Sequence, residues 1–215
     1  MKTTTKKICV LAILSAMAYV AMVLGRVPVV LFLKYDPKDV IITIGGFLYG
    51  PLSAFAVTLA VAVVEMITVS ETGFIGLIMN IIAGCSFSCT AAVIYKKNRN
   101  LKGAVIGLVV ACLLTTAVMV LWNYLITPLY TGRPRTEIAA LLVPAFLPFN
   151  LLKGGLNAAF TMLLYKPVKK ALHSAHMMPS LENEKKGKIN WGVILVSAFI
   201  IITCVLWVFV LQGKL

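Results

Sequence analysis

Lys153 lies inside an apolar stretch of the chain, in the segment PFNLLKGGLN, three residues after Asn150. This spacing places both side chains on one face of a helix. An ammonium and an amide on one face supply hydrogen-bond donors to a polar ligand. An ionisable side chain within a membrane helix is costly and normally faces a cavity, so the pair predicts a binding site. The alternative is a lysine that extends to the membrane interface.

Asn123 supplies a second amide in the segment LWNYLITPLY, near the end of a long apolar stretch, beside Trp122, Tyr124 and Tyr130. Tryptophan and tyrosine near a helix end usually form an interfacial belt, so these aromatic residues indicate little by themselves. The asparagine is predicted on the same outer side as Lys153. This shared side favours a ligand contact.

The loop FLKYDPKD, residues 32–39, carries both charge signs. Asp36 followed by proline favours a turn. Lys34, Tyr35 and Asp36 are candidate ligand contacts, and Lys38 and Asp39 follow them. A loop in contact with solvent explains these charges equally well.

One cavity that opens to the outside would combine this loop with Asn123, Asn150 and Lys153, because small-ligand pockets have apolar walls and few oriented polar groups. Glu65, near the outer end of the third helix, and Asn80, in the fourth, are candidates for the same cavity. Hydrogen bonding between helices explains these two residues as well.

The sequence offers little for catalysis. His173 and His176 lie in a polar stretch, and no Ser/His/Asp, GxGD or HExxH arrangement is present. Glu65 with Lys153 is the one titratable pair that an intramembrane enzyme could use. The five cysteines lie in apolar segments without a CxxC pair, so no metal centre is predicted. We predict that the chain is not an enzyme and uses no cofactor.

Composition places the chain in a membrane. Of its 215 residues, 60% are hydrophobic and 13% are charged, whereas soluble domains carry roughly a quarter charged residues. The net charge of +13 comes from short clusters at the ends of apolar segments, which are typical of topology signals and not of nucleic-acid binding. An all-α polytopic membrane protein is therefore predicted.

The number of crossings depends on the apolar stretch of residues 40–64. Gly50 followed by Pro51 breaks a helix, so we predict one short helix ending near Tyr49 and the next beginning near Leu52. About eleven residues rise only ~16 Å, so the short helix needs protein neighbours around its ends. Seven segments result, and the distribution of basic residues then predicts a cytoplasmic N-terminus and an extracellular C-terminus.

The seven predicted segments divide the chain into three parts. Residues 1–170 form a six-helix membrane core, residues 171–188 a polar cytoplasmic linker, and residues 189–215 an additional transmembrane helix. In the first helix, Ala12 and Ala16 make a small-xxx-small pair that lets another helix approach closely in lipid. This pair predicts a partner surface, although packing within the protein explains it equally well.

The chain resembles the substrate-binding S components of energy-coupling-factor (ECF) transporters, and among them the riboflavin-specific type. FLKYDPKDVIITIGGFLYGP, NYLITPLY and PFNLLKGGLN carry the resemblance, which covers residues 8–170. It implies a six-helix fold that captures riboflavin, with flavin mononucleotide (FMN) as a second candidate ligand, at the outer face. The helix after residue 188 departs from this pattern.

The resemblance also implies partners and roles for residues. A transmembrane coupling protein and two ATP-binding subunits would drive import, and the sequence itself has no GxxxxGKS/T loop. Asn123, Asn150 and Lys153 would bind the flavin, the loop with Tyr35 would close over it, and the Ala12 and Ala16 face would meet the coupling protein. An S component for another vitamin, such as thiamine or biotin, is the alternative.

Overall fold

The computed structural model describes residues 3–174 and 191–211. Within them lie nine α-helices, two π-helical turns and one two-stranded antiparallel hairpin. In chain order the elements are α1 (Thr3–Gly25), β1 (Val27–Val30), β2 (Leu33–Tyr35), α2 (Lys38–Tyr49), α3 (Pro51–Thr68), α4 (Gly73–Gly84), a π turn (Cys85–Cys89), α5 (Thr90–Lys97), α6 (Leu101–Thr131), α7 (Arg135–Leu141), a second π turn (Leu142–Phe146), α8 (Leu147–Ser174) and α9 (Trp191–Leu211).

Six helical stretches in the described part of the chain are long and apolar enough to cross a membrane. Two of them are composite, because α4 continues through its π turn into α5 as Gly73–Lys97, and α7 continues into α8 as Arg135–Ser174. Together with the short α2 they make seven segments. The prediction of an all-α polytopic membrane protein is confirmed.

Helix α2 has twelve residues and rises only about 18 Å. Nine of these residues are buried, and α1, α3, α5 and α8 all contact the helix. A partial crossing therefore has protein on all sides, as its length requires. Close approach depends on Gly46, because a Cβ atom at this position would lie 2.9 Å from Cβ of Ala92.

Gly50 separates α2 from α3, as predicted. Its φ of 92° and ψ of 171° lie in a region that is nearly restricted to glycine. α2 ends at Tyr49, and α3 begins at Pro51, one residue earlier than predicted. Proline suits this first helical position because its missing N–H would have no partner within the helix.

The hairpin of β1 and β2 was not predicted. It pairs Val27 with Tyr35 and Val30 with Leu33, and Leu31 at the turn has a φ of 51°. The valines of β1 favour extended backbone because of their branched side chains, and this signal was present in the sequence. Residues 32–35 therefore belong to a turn and a strand, not to an irregular loop.

The chain passes alternately between two ends of the bundle, which we name the hairpin end and the opposite end. Gly192, near the start of α9, lines a groove with Leu101 at the start of α6, at the opposite end. Val208, near the end of α9, packs against the cluster that contains Val29 of the hairpin. The start of α1 and the end of α9 therefore lie at different ends, as seven crossings require.

Helix α8 continues beyond the predicted end of the core at residue 170. Leu172 is buried against Val10 and Leu14 of α1, and this packing keeps the helix intact to Ser174. The first four residues of the predicted linker are thus helical, and His173 lies in the last turn. The remaining linker residues, His176 among them, lie outside the described residues.

Candidate ligand-binding cavity

A cavity of about 430 Å³ lies at the hairpin end of the bundle. Its walls come from the hairpin and the residues that flank it, the loop between α3 and α4, the first π turn, the segment after α6, and helices α2, α3, α4, α6 and α8. This volume falls in the range of roughly 300–1,000 Å³ that is typical of small-molecule sites. The fold thus brings together segments that are far apart in the sequence.

The cavity combines apolar walls with convergent polar groups. Aromatic, aliphatic and methionine side chains form the apolar part: Phe32, Leu33, Val69, Met79, Ala83, Phe87, Met119 and Phe149. Charged and amide side chains form the polar part: Arg26, Lys34, Asp36, Asp39, Glu65, Glu71, Asn80, Asn123, Arg133, Asn150, Lys153 and Asn157. Every predicted pocket residue except Tyr35 therefore lines this cavity.

Lys153 contacts two aspartates across the cavity wall. Its Nζ atom lies 3.6 Å from Oδ2 of Asp36 and 3.9 Å from Oδ2 of Asp39. Both aspartates are buried, so the description of their segment as a solvated loop is wrong. Burial acts to raise the pKa of Asp36, but Lys153, Lys38 and Arg26 together outweigh it and hold that pKa below its ordinary value.

Glu65 is part of an ion-pair network. Its two carboxylate oxygens accept hydrogen bonds from Arg26 and Lys38, and Lys38 also donates to Oδ1 of Asn80 at 3.0 Å. Lys38 and Glu65 are almost completely buried. Because a buried charge without a partner is very unfavourable, this network holds α2 against α3 and α4. The sequence offered two alternatives for Glu65 and Asn80, lining of the cavity or hydrogen bonding between helices. Both residues do both.

The two ion-pair groups together are electrically balanced. Three cations, Arg26, Lys38 and Lys153, lie among three carboxylates, those of Asp36, Asp39 and Glu65. A balanced cluster does not by itself attract a ligand of either charge. Its polar atoms instead offer hydrogen bonds with fixed direction.

Asn123 and Asn150 are anchored to their own helices. Each side-chain Nδ2 donates to the carbonyl four residues earlier, Met119 and Phe146 respectively, at 2.8 Å. Thr127 donates to Oδ1 of Asn123 at 2.9 Å. Because an amide carries two N–H groups, each asparagine retains one donor for a ligand, in an orientation that the helix determines.

Tyr35 does not close over the cavity. Its ring is buried against Phe149, Leu152 and Leu156 of α8, and its hydroxyl donates to Oδ1 of Asn157 at 3.2 Å. Burial raises the pKa of Tyr35, so the phenol remains a donor. The alternation of side chains along β2 explains this placement, because Lys34 and Tyr35 must point to opposite faces.

Lys34 lies at the rim of the cavity. Its Nζ atom donates to Oε1 of Glu71 at 2.6 Å and links the hairpin to the loop between α3 and α4. This hydrogen bond lowers the pKa of the exposed Glu71. Exposed ion pairs contribute little to stability, so opening this one costs little.

Comparisons with known proteins agree with this geometry. Residues 6–165 match the family described as the substrate-specific component of ECF transporters. A solved S component of a bacterial ECF transporter superposes with a TM-score of 0.66 at 29% identity, over 79% of this chain and 98% of the other. The chain belongs to the family of ECF substrate-specific (S) components. This is a transport family and not an enzyme family.

Several relatives of this S component are named riboflavin transporters. FmnP of Bacillus subtilis is 34% identical, over 80% of this chain and 98% of its own length. RibU of Staphylococcus aureus is 29% identical over 75% of this chain, and RibU of Streptococcus thermophilus is 30% identical over 79%; 89% and 86% of those two proteins are covered. The resemblance inferred from the three sequence motifs is thus confirmed.

Three residues of the site were not named individually as candidates. Arg26 and Asn157 were not considered, and Asp39 was included only as part of the loop of residues 32–39. Asn157 lies four residues after Lys153, so helical spacing already placed it on the same face. Its Nδ2 donates to Oδ2 of Asp39 at 3.4 Å, and its Oδ1 accepts from Tyr35. In this S component Asn157 joins the hairpin, α2 and α8 at one point.

A packed layer lies between the cavity and the opposite end of this S component. Phe87 lines the cavity and also belongs to a core cluster with Phe47, Ala91 and Leu108. Below it, the rings of Phe47 and Tyr95 stack with centroids 4.4 Å apart. The cavity therefore ends at this layer and is approached from the hairpin end.

Helix α1 has a buried and an exposed face. Val10, Leu14 and Ala18 are completely buried, whereas Ala12 and Ala16 are exposed to the surroundings of the bundle. The small pair is thus not used for packing within the described residues. An exposed alanine pair is suited to contact with a helix of another protein.

Proposed function

We propose that this S component captures riboflavin in the cavity at the hairpin end and delivers it for import by an ECF transporter. The observation that carries the proposal is the convergence of Asn123, Asn150 and Lys153 on one cavity with apolar walls, in a chain whose relatives are named riboflavin transporters. FMN remains a second candidate ligand.

The chemistry of the cavity fits a flavin. An isoalloxazine ring has an apolar body that can pack between side chains such as Phe87, Met119 and Phe149. Its edge carries carbonyl oxygens and ring nitrogens, which accept hydrogen bonds from amide and ammonium groups. The free donors of Asn123 and Asn150 would bind that edge, and Lys153 would add a charge-assisted hydrogen bond.

Charge balance favours riboflavin over the alternative vitamins, and also over FMN, whose phosphate is anionic. Riboflavin is uncharged, whereas thiamine carries a positive charge and biotin a carboxylate. Binding either of these would add a net charge beside the six balanced groups of the two ion-pair groups, five of which line the cavity, and such a charge is unfavourable in a site of low dielectric. A neutral ring with many acceptors creates no such charge.

The cavity would face the outside of the cell. Lys96, Lys97, Arg99 and Lys102 lie at the opposite end, and basic residues are enriched in the cytoplasmic loops of membrane proteins. This orientation would place the N-terminus in the cytoplasm and the C-terminus outside. Riboflavin would then enter between the hairpin and the α3–α4 loop.

Import would require partners. The sequence has no P-loop motif, so two ATP-binding subunits would supply the energy through a transmembrane coupling protein. The exposed Ala12 and Ala16 face of α1 is the proposed contact with that coupling protein. Close helix contact through small residues stabilises association in lipid without a need for polar groups.

Riboflavin titration of the detergent-purified protein tests the proposal. We expect submicromolar quenching of riboflavin fluorescence by the wild type and a loss of at least roughly tenfold in affinity for Lys153→Ala, the scale of a charged hydrogen bond. Lys102→Ala, an exposed lysine at the opposite end, is the control and should bind like the wild type. A folded wild type that quenches neither riboflavin nor FMN, but binds thiamine or biotin, would contradict the assignment.

A further inference from the structure

Helix α9 lies outside the residues that match the S-component family, since that match ends at residue 165. Its surface is nevertheless divided into two faces. Ser197, Ile201, Cys204 and Val208 are buried or partly buried, and their spacing of four, three and four residues defines one stripe along the helix. The rest of the α9 surface consists mainly of exposed apolar side chains, which are compatible with contact with lipid.

The buried stripe packs beneath the hairpin. Ile201, Cys204 and Val208 contact the cluster formed by Val29, Tyr35, Phe149, Leu152 and Leu156. This cluster contains residues of both the hairpin and α8, and α9 contacts both elements. The hairpin is therefore packed between the cavity on one side and α8 with α9 on the other.

The glycines of PFNLLKGGLN explain how α9 fits so closely. A Cβ atom at Gly155 would lie 3.6 Å from Sγ of Cys204 and 3.9 Å from Cγ2 of Ile200, so α9 rests directly on this part of α8. At Gly154 a Cβ atom would lie 2.4 Å from Sγ of Cys112, on α6. Gly154 thus lets α6 approach α8, and Gly155 lets α9 approach it, both at the turn that carries Lys153.

Contacts run without interruption from α9 to the cavity. Tyr35 belongs to the cluster against which α9 packs, and its hydroxyl donates to Asn157, which donates to Asp39. The next residue after Tyr35 is Asp36, whose carboxylate lies 3.6 Å from Lys153. A displacement of the hairpin would therefore move Asp36 away from its cationic partner.

We propose that α9 is a positioning element of the ligand site, and that Ile201, Cys204 and Val208 hold the hairpin against α8 so that it retains bound ligand. This proposal rests on the proposed function for its ligand, but its structural part does not. The hairpin is only two short strands, and such a pair is not stable in isolation. Loss of packing beneath it should open the cavity more often and should accelerate ligand release.

The test uses the full chain with the double variant Ile201→Ala/Val208→Ala. Its matched control is Ile202→Ala/Val205→Ala, which removes the same side chains from the exposed side of the same helix. Amide hydrogen exchange of residues 27–36 reports on the hairpin without any ligand. Stopped-flow release of riboflavin reports on the site, and Ile201→Val/Val208→Ile tests rescue by similar side chains.

We expect the buried-face variant to exchange the hairpin amides faster and to release riboflavin roughly tenfold faster, with an association rate close to that of the wild type. The exposed-face control and the conservative variant should match the wild type. Unchanged exchange in residues 27–36 would overturn the proposal, and so would faster exchange with an unchanged rate of release. Should the double variant fail to fold, Ile201→Ala and Val208→Ala are measured singly against the same criteria.

Failure of the proposed function has a different signature. A wild-type chain that binds no riboflavin contradicts riboflavin capture, whereas the exchange measurement still decides whether α9 holds the hairpin. Thiamine, biotin and FMN are then used in the release measurement.

Discussion

Nζ of Lys153 on α8 lies 3.6 Å from Oδ2 of Asp36, which immediately precedes Pro37 and α2. The contact joins the last long helix of the matched region to the segment that follows the hairpin. Because Asp36 is buried, its charge depends on this neighbour for compensation. The pair therefore connects the stability of the fold with the geometry of the binding site.

The Lys153–Asp36 pair should show strong coupling in a double-mutant cycle. Lys153→Met leaves a buried carboxylate without its nearest cation, and Asp36→Asn leaves the lysine with Asp39 alone. We expect the double variant to be more stable than the sum of the two single effects by about 0.5–3 kcal/mol. Thermal unfolding in detergent measures this coupling, and strict additivity would contradict it.

Glu65→Gln should destabilise the fold strongly, although the substitution changes the side chain very little. The substitution keeps the shape of the side chain but leaves Arg26 and the buried Lys38 without their shared carboxylate. Removing one partner of a buried ion pair costs on the order of 3 kcal/mol. Unfolding of Glu71→Gln, which alters only an exposed pair, is the comparison. Equal melting temperatures for these two variants would show that the network around Glu65 is not needed for stability.

Gly50→Ala should destabilise the protein through backbone strain. The position has a φ of 92°, and an added Cβ atom meets nothing within 4 Å, so crowding does not contribute. We expect a loss of roughly 1–3 kcal/mol, the usual cost of a side chain in such a backbone region. Leu52→Ala, at an exposed site two residues away, is the control. A melting temperature unchanged from the wild type would mean that the turn can adopt another conformation.

Ala12→Leu/Ala16→Leu should leave riboflavin binding intact and prevent transport. Both alanines are exposed on α1, far along the helix from the cavity, so larger side chains disturb a partner and not the pocket. Reconstitution with a coupling protein and its ATP-binding subunits, with measured riboflavin uptake into vesicles, is the assay. Ala117→Leu introduces the same change at an exposed site on α6. Uptake by the α1 variant at the level of this control would exclude the alanine face as the contact.

Helical architecture could be predicted because the bilayer constrains it strongly. Apolar stretches of sufficient length identify the crossings, and Gly50 with Pro51 marked the one break that periodicity alone would have missed. The hairpin was missed because strands of three or four residues have little periodicity to detect. The end of α8 was placed at residue 170 because its basic residues looked like a linker, whereas Leu172 packs on α1.

Several polar residues of the site could be found because their positions are unfavourable in lipid. Asn123, Asn150 and Lys153 were identified on this basis, together with the helical spacing of the last two. Arg26 was not identified, and Asp39 was identified only as part of the loop, since a charge next to an apolar segment is also what an ordinary loop provides. Tyr35 was assigned to the ligand, although its place in the strand turns its ring towards α8.

The sequence by itself determined that this chain is a helical membrane protein with polar groups inside its apolar segments. Composition and spacing record this because the cost of polar atoms in lipid is a local property. Tertiary structure decided which charges neutralise each other and which elements hold the hairpin. The partners of Glu65, Asp36 and Tyr35 lie 27 to 122 residues away along the chain. Such pairings depend on how the helices pack, and no local pattern encodes that packing.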